Sequence, residues 1–122
     1  MAKTVLVVDD STSLRQVVSI ALKGAGYEVI EACDGQDALA KLTGQKVHLI
    51  ISDVNMPRMD GITMVQNVKQ MAAYKFTPII MLTTESQEGK KQEGKAAVAK
   101  AWVVKPFQPA QMLDAVSRLI AP

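Results

Sequence analysis

The aliphatic run Leu49, Ile50, Ile51 stops abruptly at Ser52 and Asp53, and this change of polarity is what most restricts the fold. It lies in the stretch Val47 to Gly61, VHLIISDVNMPRMDG. A strand with one wet face would alternate apolar and polar residues. A continuous aliphatic segment instead suits a strand covered on both faces, as in a parallel sheet. Asp53 stands where such a strand emerges, and open parallel sheets place their ligand crevice at the carboxyl ends of strands. An isolated Asp there also reads as a turn or cap residue, so its meaning depends on the rest of the chain.

The first segment, Lys3 to Asp10 (KTVLVVDD), repeats the pattern: a buried strand ending in acid, Asp9-Asp10. Ser11, Thr12 and Ser13 then offer helix N-caps, with Gln16 placed to close a capping box on Ser13. Leu14, Val17, Val18, Ala21 and Leu22 recur at helical spacing and predict one inward face. Gly24 and Gly26 fit a helix stop. Tyr27 to Cys33 alternates enough for a strand near the sheet edge, with Cys33 as a small core residue. Asp34-Gly35 turns the chain into a short helix, Gln36 to Leu42, ended by Gly44.

After Asp53 comes a loop containing Pro57 and Gly61. A helix follows, its apolar face marked by Met64, Val65, Val68, Met71 and Ala72. Pro78 to Thr83 (PIIMLT) is a fourth buried strand, ending at Thr83-Thr84. Glu85 to Lys100 reads as a weakly held helix, because its apolar face is mostly alanine and Gly89 and Gly94 each cost about 1 kcal/mol against Ala. Ala101 to Val104 is a last strand, ending at Lys105-Pro106. Pro109 suits the first turn of a final helix, packed through Met112, Leu113, Val116, Leu119 and Ile120.

The order is therefore βαβαβαβαβα. Alternation of this kind predicts an α/β fold: a doubly wound five-stranded parallel sheet, right-handed crossovers, and five helices on both faces. A chain of 122 residues fits one domain. At 48% hydrophobic it can bury enough to fold. A net charge of +2 is too small to argue for nucleic acid. The single cysteine, Cys33, excludes an intramolecular disulfide, and a cytoplasmic location is the expectation. No apolar stretch approaches the ~20 residues of a membrane span, and Val5 to Val8 is too short for a signal peptide.

Collected at the carboxyl ends of strands one, three, four and five are Asp9 with Asp10, Asp53, Thr83 with Thr84, and Lys105. Converging carboxylates repel by roughly 4 kcal/mol per pair at 4 Å and an effective dielectric near 20. The cluster makes sense with a cation present. Oxygen ligands without His or Cys point to Mg2+, which binds through one or two carboxylates and keeps several waters. His48 precedes the apolar end of its strand and reads as a bystander. A lysine and a hydroxyl opposite the metal would complete a phosphoryl site, neutralising oxygens as charge shifts.

The motifs VLVVDDS, IISDVNMPRMDG, MLTT and WVVKPF, in this order and spacing, resemble the receiver domains of two-component response regulators. Within that family the chain is most similar to the single-domain, CheY-like chemotaxis regulators. The resemblance implies the flavodoxin-like strand order 2-1-3-4-5 and a single receiver domain over residues 1–122, with no output domain. It implies that Asp53 is the phosphoacceptor for a sensor histidine kinase, and that Asp9, Asp10 and Asp53 hold Mg2+, with Asn55 adding a backbone carbonyl. Thr83 would be the switch hydroxyl, Lys105 the phosphoryl-pairing lysine, and Trp102 the aromatic that turns inward when Thr83 moves. The Lys105-Pro106 bond would be cis. Asn55 and Glu85 would flank the hydrolytic water and set the dephosphorylation rate.

Two positions depart from the family pattern. Trp102 is larger than the usual Tyr or Phe. Thr84 stands where Ala or Gly is commoner, and its bulk would narrow access to Asp53.

The expected protein is thus a monomeric phosphorylation switch acting on other proteins, not an enzyme with an external substrate. Its partner face would carry Lys90, Lys91, Lys95, Lys100 and Trp102. A flagellar motor switch protein is the expected target, and a phosphatase a further partner; neither nucleic acid nor membrane is expected. A phosphate-sink or non-motility receiver is the alternative. A phosphoaspartate-forming phosphatase is a weaker one, since Asn55 stands where its second acid would be. A flavin-binding module is weaker still, because Asp9-Asp10 would repel a phosphate.

Overall fold

The computed structural model describes residues 3–54, 59–83, 101–105 and 108–120, with Thr83 described by its backbone alone. The elements run β1 (Thr4–Val8), α1 (Thr12–Gly24), β2 (Glu28–Ala32), α2 (Gly35–Lys41), β3 (Leu49–Asp53), α3 (Gly61–Val68), β4 (Ile79–Thr83), β5 (Ala101–Val104) and α4 (Pro109–Leu119). Asn55, Thr84, Glu85, Lys90, Lys91, Lys95, Lys100 and Pro106 lie outside the described residues, and with them the expected helix over 85–100 and the cis bond.

The five strands form one parallel sheet in the order β2-β1-β3-β4-β5, so the expected topology holds, with β2 at an edge. Residues within each strand alternate between two apolar layers. Leu6, Val8, Ile50, Ile79 and Met81 pack with Ala38 of α2 and with Met64, Val65 and Val68 of α3. Val5, Val7, Leu49, Ile51, Ile80 and Leu82 pack on the other face with Val18 and Leu22 of α1 and Met112 and Val116 of α4. Covering both faces is what allows the strands to be aliphatic throughout. Among the described residues no helix is long and apolar enough to cross a membrane.

Local details differ from the sequence expectations, each for a visible reason. The N-cap of α1 is Ser11, whose side chain accepts from Leu14 N–H, so the helix starts before Ser13 and the Ser13–Gln16 capping box does not form. Its inward row runs through Val18, Ser19 and Leu22, which turns Val17 outward, 49% exposed. Cys33 is exposed and not a core residue. Strand β2 ends at Ala32, and Cys33 instead gives its N–H to Asp37 Oδ2 at the start of α2. Gly61 is the first residue of α3 and not part of a loop.

Helix α3 stops at Val68, short of Met71 and Ala72. Beyond it the chain forms tight turns, with Gln70, Met71, Tyr74 and Thr77 each donating to the carbonyl three residues earlier. The buried Tyr74 fixes this turn: its hydroxyl accepts from Gly44 N–H (3.0 Å) and donates to Gln45 O (2.8 Å).

Candidate functional site

Strand register brings the acids together. Val8 lies opposite Ser52, so Asp9, one residue past β1, stands abreast of Asp53, the last residue of β3. Asp9 is 1% exposed and Asp53 6%, whereas Asp10 points to solvent. Asp9 N–H donates to Ala32 O at 3.1 Å, and Asp9 Oδ1 accepts from Ser11 N–H at 2.8 Å. One carboxylate oxygen from each of Asp9, Asp10 and Asp53 lies within 4.8 Å of the others. Lys105, just past β5, places Nζ 3.1 Å from Asp53 Oδ2 and 3.6 Å from Asp9 Oδ2.

Burial is the main force raising both buried carboxyls above their ordinary pKa. For Asp9, the Ser11 N–H and Lys105 oppose the rise, while Asp53 and Asp10 add to it. For Asp53, Lys105 and the Val54 N–H oppose it, and Asp10 adds to it. Among the described residues, the single ammonium of Lys105 does not balance three acids. Asp9 Oδ2 is moreover buried without a hydrogen-bond partner among the described residues. An oxygen-only donor set in which one buried oxygen makes no hydrogen bond among the described residues fits a hard divalent cation such as Mg2+, for which Asp9, Asp10 and Asp53 would supply the carboxylates.

Other expected site residues sit where the strands take them. Thr83 ends β4 opposite Val104. Trp102 on β5 lies opposite Met81 and is partly buried against the layer containing α2 and α3. Its Nε1 is buried with no partner among the described residues. His48 is at the opposite end of β3 from Asp53, where its Nδ1 accepts from Thr4 N–H at 3.0 Å. The bystander reading holds.

Two residues near the site have roles that the sequence reading did not assign. A Cβ on Gly61 would lie 2.1 Å from Asp53 O and 2.8 Å from Met81 Cε. Only glycine lets α3 start this close to β3, where Gly61 N–H bonds to Val54 O at 2.8 Å. The second is Arg15, whose Nη1 donates to Asp9 O at 2.7 Å. Its signal was a basic residue one turn before Val18 and Ser19, in line with the inward row of α1.

Residues 5–117 match the response regulator receiver domain family. Among solved structures, the chemotaxis response regulator CheY4 of Vibrio cholerae is 52% identical with a TM-score of 0.92, covering 98% of this chain and 100% of that one. Protein PilG of Pseudomonas aeruginosa is 37% identical over 112 residues, which is 92% of this chain and 83% of PilG. The phosphate regulon transcriptional regulatory protein PhoB of the same organism is 36% identical over 125 residues, but the chain covers only 55% of its length. The chain thus spans about half the length of the transcriptional regulators it matches.

Proposed function

The chain belongs to the response regulator receiver domain family, and from that premise we propose that it is a phosphorylation switch with Asp53 as phosphoacceptor. The observation that carries this is the crowding of Asp9, Asp10 and Asp53 beside Lys105 at the carboxyl ends of the strands. An Asp53 oxygen attacks the phosphorus of a phosphohistidine on a sensor kinase. A P–O bond forms, the P–N bond breaks, and imidazole leaves. Burial leaves the attacking carboxylate poorly solvated and therefore reactive. Bound Mg2+ would neutralise phosphoryl oxygens as charge shifts during transfer. Asp9, Asp10 and Asp53 would hold it, together with Asn55. Lys105, now paired with Asp53, can exchange that partner for a phosphoryl oxygen without moving far.

The output in this reading is a shift of conformational population. Thr83 at the end of β4 turns toward the phosphoryl group, and Trp102 fills the space behind it. An indole N–H buried without a partner among the described residues is consistent with a side chain that has a second position. The altered surface, with Lys90, Lys91, Lys95 and Lys100, would then bind a downstream protein in the cytoplasm. The CheY4 likeness favours chemotaxis and hence a flagellar motor switch protein. Asn55 and Glu85 would set the lifetime of the signal, with Thr84 slowing exchange.

Incubation with acetyl phosphate and Mg2+ should give one acid-stable, hydroxylamine-labile phosphoryl group, absent in Asp53→Asn. Labelling that survives Asp53→Asn would move the acceptor elsewhere and end this reading.

A further inference from the structure

Arg15 reaches the acidic site through the main chain. Its side chain is 16% exposed and its guanidinium is held at two points. Nη1 donates to the carbonyl oxygen of Asp9 at 2.7 Å, and Nε donates to Glu31 Oε1 on β2 at 3.1 Å. The Asp9 carbonyl belongs to the peptide that joins Asp9 to Asp10. At Asp9 the amide is already fixed to Ala32 O and the carboxyl to Ser11 N–H. Arg15 fixes the remaining main-chain group. The plane of that peptide sets the angle between the inward carboxyl of Asp9 and the exposed carboxyl of Asp10. A guanidinium is suited to this work because its donors form a rigid planar fork.

We propose that Arg15, braced by Glu31, is a positioning residue: it orients the Asp9–Asp10 peptide so that both carboxylates meet one divalent cation. This rests on the reading of those acids as the Mg2+ ligands. Two effects of removing Arg15 have opposite signs. A cation beside a dication site repels the metal, so loss of its charge alone would tighten Mg2+ binding. Loss of orientation would weaken it, and partners that orient metal ligands are typically worth about 10–100-fold in affinity. The sign of the change therefore decides between them.

The test is calorimetric titration of Mg2+ into the unphosphorylated full chain, wild type against Arg15→Ala, Arg15→Lys and Glu31→Ala, each checked for folding by circular dichroism. Arg15→Ala should weaken Mg2+ about tenfold. Glu31→Ala should weaken it less, because the contact to the Asp9 carbonyl survives without its brace. Arg15→Lys should fall between wild type and Arg15→Ala, since an ammonium can donate to the carbonyl but lacks the rigid planar fork that holds the Asp9 carbonyl and Glu31 in one geometry. If Arg15→Ala does not fold, the other two variants carry the same test. Folded variants that bind Mg2+ as tightly as wild type, or more tightly, would overturn the proposal. A wild type that binds no Mg2+ would instead overturn the reading of the acids, and this proposal with it.

Discussion

The two rims of the sheet follow opposite rules. At the amino-terminal rim, polar groups find hydrogen-bond partners. Tyr74 joins Gly44 to Gln45, the Lys69 ammonium donates to Thr77 O, and His48 accepts from Thr4. At the carboxyl-terminal rim three acids share one lysine, and Asp9 Oδ2 is left without a hydrogen bond among the described residues. The same strands supply both rims. One rim is built for stability, whereas the other holds electrostatic strain. Side-chain polarity should therefore be replaceable without loss of stability at the second rim and not at the first.

The sharpest limit on that contrast is steric. Gly61→Ala, at the carboxyl-terminal rim, should cost about 3 kcal/mol, because the new Cβ would meet the Asp53 carbonyl, which is main chain and cannot step aside. Urea denaturation measures it, and a loss below roughly 1 kcal/mol would mean that α3 can slide away from β3. Next in size is Tyr74→Phe at the amino-terminal rim. It removes one hydroxyl and leaves both Gly44 N–H and Gln45 C=O unpartnered, for a loss of about 2 kcal/mol. A neutral outcome there would erase the distinction between the rims.

Asp53→Asn should have the opposite sign. The folded state raises the pKa of Asp53, so at neutral pH folding forces an unfavourable charge into the site. Removing it should stabilise the EDTA-treated protein by about 1 kcal/mol. The gain should shrink as pH falls toward the raised pKa, where the wild type takes up a proton and relieves itself. A lower urea midpoint at unchanged slope would show that the acids are not in conflict.

The smallest effect belongs to His48. Burial, then Lys3 and Lys46, hold its pKa below 6.5 in the folded state. Its contribution to stability is therefore present above pH 6.5 and lost as pH falls from there through the lowered value. The stability difference between pH 8 and pH 5 should change in His48→Gln by the amount this titration supplies. An identical difference in both proteins would remove His48 from the account.

Strands and site were legible in the sequence because both rest on abrupt local contrasts, such as Ile51 before Ser52-Asp53 or Val104 beside Lys105. Helix edges were less legible because they depend on contacts far along the chain. The end of α3 at Val68 coincides with Tyr74 docking on the loop after α2, which no periodicity in residues 61–72 reveals. Cys33 looked apolar enough for a core but belongs to a turn whose amide is claimed by Asp37. Ser11 displaced Ser13 as the cap because several hydroxyls were available and helical spacing alone does not choose between them. Gly61 and Arg15 act through main-chain carbonyls, which leave no trace in a pattern of side-chain types.

One bond joins distant parts of this sequence. The phenol of Tyr27 donates to the carbonyl of Ile120 at 3.0 Å, across 93 residues. Helix α4 is thereby fastened beside the start of β2, at the far edge of the sheet from β5, the strand that precedes it. A latch placed there links two schedules of motion. While it is closed, the last helix can leave the sheet only by uncovering the layer around Val5, Val7 and Leu49, so its amides should exchange with solvent in step with those of α1. With the latch broken, α4 would become a separate unit of local opening, shedding its protection first while the acid-bearing strands stayed closed.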